Sequence, residues 1–336
     1  MTLGELNEVT SKLSLPSYAS RQMADWLYRK HIRTIDEMTN ISATKRKHLS
    51  MRYEIGCQSP VETITSVDQT VKSLFAVNNN THFVESVFIP SKERATLCVS
   101  SQVGCKMNCI FCKTGKQGFQ AQLSAHEIFN QIHSAPENSD FTNVVFMGMG
   151  EPLDNLSELF KVLDILTSPY GYGWSPKRIT VSTIGILPEL KRFLDESSCH
   201  LAISLNSPFH EERLSLMPVE KAYPIKKIVD LIRTYDFTHQ RRVSFEYILF
   251  EGINHTERHV KELSRLLNGL ECRINLIRYH ALPKVNLRSV DEQTMERFRV
   301  LLHQSGLLST IRMSRGEDVN AACGMLSTIK NTIDRM

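Results

Sequence analysis

The sequence predicts an α/β fold, a partial barrel of about six strand–helix units behind a small helical module and a small β-rich extension. Three observations predict it. Short β-branched stretches alternate with amphipathic ones from about residue 99 to the C-terminal region, which argues for a parallel sheet with right-handed crossovers. The first 55 residues carry a helical period instead. Between these segments the period is that of strands.

Residues 1–57 are expected to form the helical module. Met23, Trp26, Leu27 and His31 recur at i, i+3, i+4 and i+8, one face of a helix. The first sixty residues hold nine Lys/Arg against six Asp/Glu, so the module reads as a solvated surface or as an RNA-binding accessory. Residues 58–97 follow as the β-rich extension. "VETITSV", "VKSLFAV" and "THFVESVFIP" are strand candidates, with "NNNT" as a hairpin turn. Residues 98–336 are the barrel with a catalytic C-terminal segment. Its strand candidates are "NVVFMGM", "RITVSTI", "HLAISLN", "RVSFEYILF", "CRINLIRY" and "STIRMS". Helix candidates between them include "NLSELFKVLDILTS", "PIKKIVDLIRTYD", "TERHVKELSRLLNG" and "DEQTMERFRVLLHQS". Six units fall short of a closed eight-fold barrel, and in such folds the active site gathers at the C-terminal strand ends.

With 336 residues, 41% of them hydrophobic, the chain can bury a substantial core. Its net charge of +4 is compatible with a polyanionic partner without requiring one. The polar start "MTLGELNEVTSKLSLPSY" reads as neither a secretory signal nor a transit peptide, and no stretch is apolar enough to span a bilayer. A cytoplasmic protein without membrane contact is expected. In that reducing compartment clustered cysteines hold metal or do chemistry more often than they form lasting disulfides.

Four of the eight cysteines fall within "CVSSQVGCKMNCIFCKTG". Cys105, Cys109 and Cys112 form CxxxCxxC, with Cys98 seven residues upstream. A structural zinc site takes four closed ligands, usually as two separated pairs, and no second pair follows. Three thiolates on a [4Fe-4S] cluster leave the fourth iron open to chelate a small ligand. Phe111, just before the third cysteine, can shield such a cluster. With this motif the sequence resembles the radical S-adenosylmethionine superfamily. That resemblance implies a cluster on Cys105, Cys109 and Cys112, and a 5′-deoxyadenosyl radical from the cofactor S-adenosylmethionine (SAM). "MGMGEP" at residues 147–152 then resembles the superfamily's GGEP-type loop. Gly150 allows close backbone approach there, and Glu151 offers a carboxylate to an ammonium. By the strand-end rule, Ser182 of "RITVS" and Ser204, Leu205 and Asn206 of "HLAISLN" are cofactor candidates, though each also reads as a turn or cap residue.

Cys57, Cys199 and Cys272 read as structural thiols. Cys323 differs, since it follows the last strand candidate in "SRGEDVNAACGML", where small neighbours leave room for a ligand. "ATLCVSSQVGC", "CIFCKTGKQGF", "VVFMGMGEPLDN", "RITVSTIG", "SLNSP" and "NAACG", in this order, resemble the RlmN/Cfr family of RNA adenosine methyltransferases over nearly the whole chain. The resemblance implies methylation of an adenine carbon, usually C2, in 23S rRNA, tRNA or both, with two SAM per turnover. It implies that Cys323 first accepts a methyl group as a thioether and that Cys98 later releases the product through a transient disulfide with Cys323. Glu85 of "HFVESVFIP" corresponds to a glutamate that contacts the adenine as a proton acceptor; read without the resemblance it is an outward-facing strand residue. An electron donor such as flavodoxin or ferredoxin and a monomeric state complete the expectation.

One stretch departs from the family. In "NLIRYHALP", His280 stands where the family carries Asn, and Arg278 where it carries Pro. His280 retains one hydrogen bond for the cofactor. A paralogue with another RNA target, the same chemistry at adenine C8, a radical activase acting on a protein, and a non-enzymatic metal protein that binds RNA are the alternatives.

Overall fold

The computed structural model describes residues 1–91, 94–135, 141–237 and 243–328. Helices α1 (Leu3–Lys12), α2 (Ala19–Tyr28) and α3 (Ala43–Ser50) form the N-terminal module around their own apolar core, which includes Leu6, Val9, Met23, Tyr28 and Met38. Ile165 from the barrel closes that core, so the module is docked on its neighbour. The expected face on α2 is only partly right. Met23 is buried, but its buried companions are Ala19, Ser20, Ala24 and Tyr28, while Trp26 is half-exposed and donates to Asn40 Oδ1 at 2.7 Å. The helix ends at Tyr28, and His31 lies beyond it with φ +51°.

The β-rich extension contains β1 (Glu62–Thr65), β2 (Val71–Val77) and β3 (His82–Ile89), paired antiparallel. In the β2–β3 turn Asn78, Asn79 and Asn80 all have positive φ, which short amide side chains tolerate better than most. β3 pairs antiparallel with β4 (Thr96–Cys98). A small pair, β5 (Gln102–Val103) and β6 (Ala121–Gln122), brackets the cysteine loop and its helix α4 (Lys113–Gln117).

After α5 (Ala125–His133) the six expected barrel strands follow: β7 (Asn143–Phe146), β8 (Ile179–Thr183), β9 (His200–Ser204), β10 (Val243–Leu249), β11 (Cys272–Arg278) and β12 (Ser309–Ile311). Arg242, the first residue of one strand candidate, lies outside the described residues. Helices α6 (Leu156–Thr167), α7 (Leu187–Glu196), α8 (His210–Leu216), α9 (Ile225–Ile232), α10 (Glu257–Leu267) and α11 (Glu292–Gln304) pack outside. β4 pairs parallel with β7, so the parallel run holds seven strands among the described residues, one more than the sequence suggested. Three residues are too few to carry a readable period. The whole sheet runs β1-β2-β3-β4-β7-β8-β9-β10-β11-β12, and β1 and β12 do not pair. No helix among the described residues is long and apolar enough to cross a membrane.

The two faces of the parallel strands differ. Ile179, Val181, Val243, Phe245, Ile274 and Leu276 point under the helices and are buried. Their neighbours Thr180, Ser182, Ser244, Glu246 and Asn275 line cavities in the barrel lumen. The lumen is therefore a polar space, which leaves room for ligands.

Candidate active site

The cysteine loop leaves the end of β4 and is closed at its neck by Gly104 and Gly118. A Cβ on Gly104 would stand 1.7 Å from the Gly118 carbonyl oxygen, so only glycine fits. Within the loop, Ile110 N–H donates to Leu216 O at 3.0 Å, which ties it to α8. Cys105 and Cys109 are buried, Cys112 is half-buried, and all three line one cavity of about 160 Å3. Burial pushes the Cys105 thiol up to about 12 and Cys109 well above its ordinary value, and each is raised further by Cys112. Three thiols converging where charge is disfavoured suit a cationic cluster that compensates their ionisation. No three His, Cys, Asp or Glu among the described residues are gathered closely enough to hold a single metal ion. A four-iron cluster asks something else of three thiolates, one iron each.

The same cavity is lined by Gly150, Glu151, Ser182, Ser204 and Asn206. Gly150 has φ +100°, and a Cβ there would meet Gln102 Cβ at 2.6 Å, which explains the glycine before Glu151. Glu151 is buried and accepts from Thr183 Oγ1 at 2.5 Å, Ile184 N at 3.0 Å and Leu153 N at 3.1 Å. Burial raises its carboxyl to about 7, against those hydrogen bonds. Asn206 sits at φ +55°, its Oδ1 accepting from Ile248 N at 2.9 Å. Leu205 is not at the cavity. Its side chain is fully buried in the core, its N–H donates to Glu246 O at 2.9 Å, and its carbonyl accepts from Arg213 at 3.1 Å. A leucine between two polar strand-end residues points to the opposite face.

Cys98 and Cys323 share a second cavity of about 370 Å3, which adjoins the first through Cys112, Gly148, Arg312 and Cys323. Both are free thiols, and no disulfide joins them. Burial pushes Cys98 up to about 12, and Cys323 adds to the effect. Cys323 is reachable by solvent, yet the surrounding protein raises its thiol pKa against the pull of Arg312. His280 lines this cavity, 3.2 Å from Ser314 Oγ, and does not line the cysteine-loop cavity.

The segment carrying Cys323 is fastened to α4. Lys113 N donates to Gly324 O at 2.8 Å and Thr114 Oγ1 to Leu326 O at 2.7 Å. Gln117 exchanges hydrogen bonds with Ser327 and Thr328. Glu85 belongs to this fastening. It lines neither cavity; its carboxylate accepts from Ser327 N at 2.9 Å and pairs with Lys72 at 3.1 Å. At the far side of the segment, Asp68 accepts from Gly316 N at 3.0 Å and Asp318 from Ser66 Oγ at 2.6 Å.

Sequence reasoning missed Thr183, Arg213, Glu246 and Arg312. Arg213 is fully buried, pairs with Glu220, and donates to Ile184 O and Ser204 O at the ends of β8 and β9. Arg312 lines both cavities and stands 3.8 Å from Glu246, whose Oε2 is buried without a hydrogen bond. The signal was present for two of them, Glu246 within the apolar strand "VSFEYIL" and Arg312 between Ile311 and Met313; Thr183 and Arg213, the latter in the polar "HEERLSL", carried none.

Residues 99–266 match the family model of the Radical SAM superfamily, and residues 1–55 that of the Ribosomal RNA large subunit methyltransferase N-terminal domain. A probable dual-specificity RNA methyltransferase RlmN of Parabacteroides distasonis is 62% identical, covering 98% of this chain and 96% of that protein. The dual-specificity RNA methyltransferase RlmN of Syntrophus aciditrophicus is 40% identical over 97% of this chain and 95% of its own. A solved radical SAM methyltransferase from Sphaerobacter thermophilus superposes with a TM-score of 0.90, at 36% identity and 97% coverage of both chains.

Proposed function

Because the chain belongs to the RlmN family of radical SAM RNA methyltransferases, we propose that it methylates C2 of an adenosine in 23S rRNA, tRNA or both through a methylated Cys323. The observation that carries this reading is that two free thiols from opposite ends of the barrel, Cys98 and Cys323, face one cavity adjoining that of the cysteine loop.

Bound SAM and a [4Fe-4S] cluster supply the methyl group and a hydrogen-abstracting radical. Cys105, Cys109 and Cys112 would hold the cluster, and Glu151, Ser182, Ser204 and Asn206 the cofactor, with Gly150 admitting it closely. Cys323 would give up its thiol proton and take a methyl group from one SAM as a thioether, lose one hydrogen atom from that methyl group, and form a carbon bond to C2 of the base; the base would lose its C2 proton, and the surplus electron would return to the redox group held by Cys105, Cys109 and Cys112. Release then falls to Cys98. Its thiolate attacks the Cys323 sulfur, so an S–S bond forms as the S–C bond breaks. The pair of electrons from the S–C bond stays on carbon, which takes up a proton and becomes the product methyl group. A thiol reductant returns the disulfide to two thiols. Glu85 serves these steps by fixing Ser327 and thus the segment carrying Cys323. A one-electron donor such as flavodoxin or ferredoxin suits Lys106, Lys113 and Lys116 around the cysteine loop.

Nucleoside mass spectrometry of rRNA and tRNA from a deletion strain tests the reading. Loss of 2-methyladenosine from one or both pools, restored by the wild-type gene and not by Cys323→Ala, is expected. Unchanged 2-methyladenosine in both pools overturns it, and loss of 8-methyladenosine instead moves the target carbon.

A further inference from the structure

At the N-terminal ends of β7 to β12 the lumen opens into a third cavity, of about 720 Å3. Its wall includes Arg94, Lys177, Arg178, Arg273 and Arg312 and contains no Asp or Glu. The whole chain holds 40 Lys/Arg and 36 Asp/Glu, so a wall with cations alone departs sharply from the composition. Lys177 and Arg273 have no anionic partner among the described residues. Arg178 is held in place by Thr142 O, to which its Nε donates, and by Trp174, whose ring centroid lies 4.4 Å from the guanidinium. Like charges gathered in a concave, partly enclosed wall focus a positive potential and favour an anion.

We propose that this cavity seats the phosphodiester backbone of single-stranded RNA next to the nucleotide being methylated. The inference rests on the RNA methyltransferase reading and adds the place of the backbone. Arg94 and Arg312 line both this cavity and the one holding Cys98 and Cys323, so the two adjoin. A base that must reach Cys323 inside its cavity leaves its stack, and its phosphates stay outside the pocket it enters. The base occupies the thiol cavity and the backbone lies against the cations beside it. The basic cluster on α3 is a weaker candidate for that backbone. Lys45 Nζ donates to Leu13 O at 2.6 Å and Arg46 to Ile41 O at 2.6 Å, so both stitch their own module together.

The test measures binding of a tRNA anticodon stem-loop and of an unstructured RNA to the full chain from 50 to 300 mM salt. Arg273→Gln with Lys177→Gln should weaken binding about ten-fold or more at low salt and reduce the log–log salt slope by about 1.4, at roughly 0.7 per lost single-strand contact. Arg273→Lys should retain the slope. Lys226→Gln with Lys227→Gln removes the same charge from the outer helix α9 and should change neither quantity. An unaltered slope in the Arg273/Lys177 variant, with its melting temperature unchanged, overturns the inference. Tight binding of inorganic phosphate at the cavity, with RNA affinity unaffected by the variant, also overturns it in favour of a free-anion site. Unchanged methyladenosine in the rRNA and tRNA of the deletion strain instead overturns the methyltransferase reading, so the two failures are distinguishable.

Discussion

The two mouths of the barrel lumen are made by opposite means. At the C-terminal strand ends, Cys98, Cys105, Cys109 and Glu151 are buried, held by loops whose backbone is bonded to neighbouring elements, and shifted toward their neutral forms. At the N-terminal strand ends the wall is cationic, and Lys177 and Arg273 are left without anionic partners. Parallel strands make the separation possible, because every strand begins at one mouth and ends at the other. Groups that need exact placement sit where loops can be braced. Groups that need only charge sit on a strand or just ahead of one, Arg273 in β11 and Lys177 and Arg178 before β8.

The comparison predicts unequal damage. The largest effect is at the braced mouth: Cys105→Ala, Cys109→Ala or Cys112→Ala should each abolish anaerobic SAM cleavage and lower bound iron, read by iron assay and product chromatography. Cleavage surviving in any of them breaks the contrast. Next, Cys98→Ala should accumulate protein crosslinked to RNA, visible as a nuclease-sensitive mass increase, and the crosslink should vanish in Cys98→Ala/Cys323→Ala. Arg213→Met should cost about 3–5 kcal/mol of stability in chemical denaturation, because it strands the buried Glu220 carboxylate. Adding Glu220→Gln should recover part of that loss. Glu151→Gln should weaken SAM binding about ten- to a hundred-fold, the range of one charged hydrogen bond, measured by calorimetry. The smallest effect is at Asp68. Burial alone would raise its carboxyl, but hydrogen bonds from Thr70 and Gly316 outweigh it and hold the group down at about 2. A depressed folded-state pKa stabilises above the unfolded value and is lost as pH falls through the folded one. The stability gap between wild type and Asp68→Asn, about 1 kcal/mol at neutral pH, should therefore close between about pH 4 and pH 2.

Elements with several turns or several ladder pairs were legible in the sequence. All six long-range strand candidates and the four named barrel helices occur where their periods placed them. What escaped was short or decided by tertiary contact. β4 has three residues and β5 and β6 two each. The buried face of α2 turned on which side meets α1, a choice that Trp26 and Leu27 could not reveal. The cysteine motif announced its cavity because its spacing is local. Glu85 was placed at the reaction by resemblance, whereas its carboxylate is engaged with Ser327, 242 positions away. The polar lumen was written in the strands, in the alternation of "ITVST" and "VSFEYIL", and parallel strands buried on both faces would read as continuous apolar runs.

The fastening of α4 to the segment after Cys323 also bears on how the protein is made. Thr114 and Leu326, which it joins, are 212 positions apart. Synthesis runs from the N-terminus, so the cysteine loop leaves the ribosome long before its partner segment exists. A growing chain that has completed the cysteine loop has yet to make the segment to which α4 is fastened. The cavity that holds Cys98 therefore gains the wall carrying Cys323 only after the strands of the barrel have been synthesised.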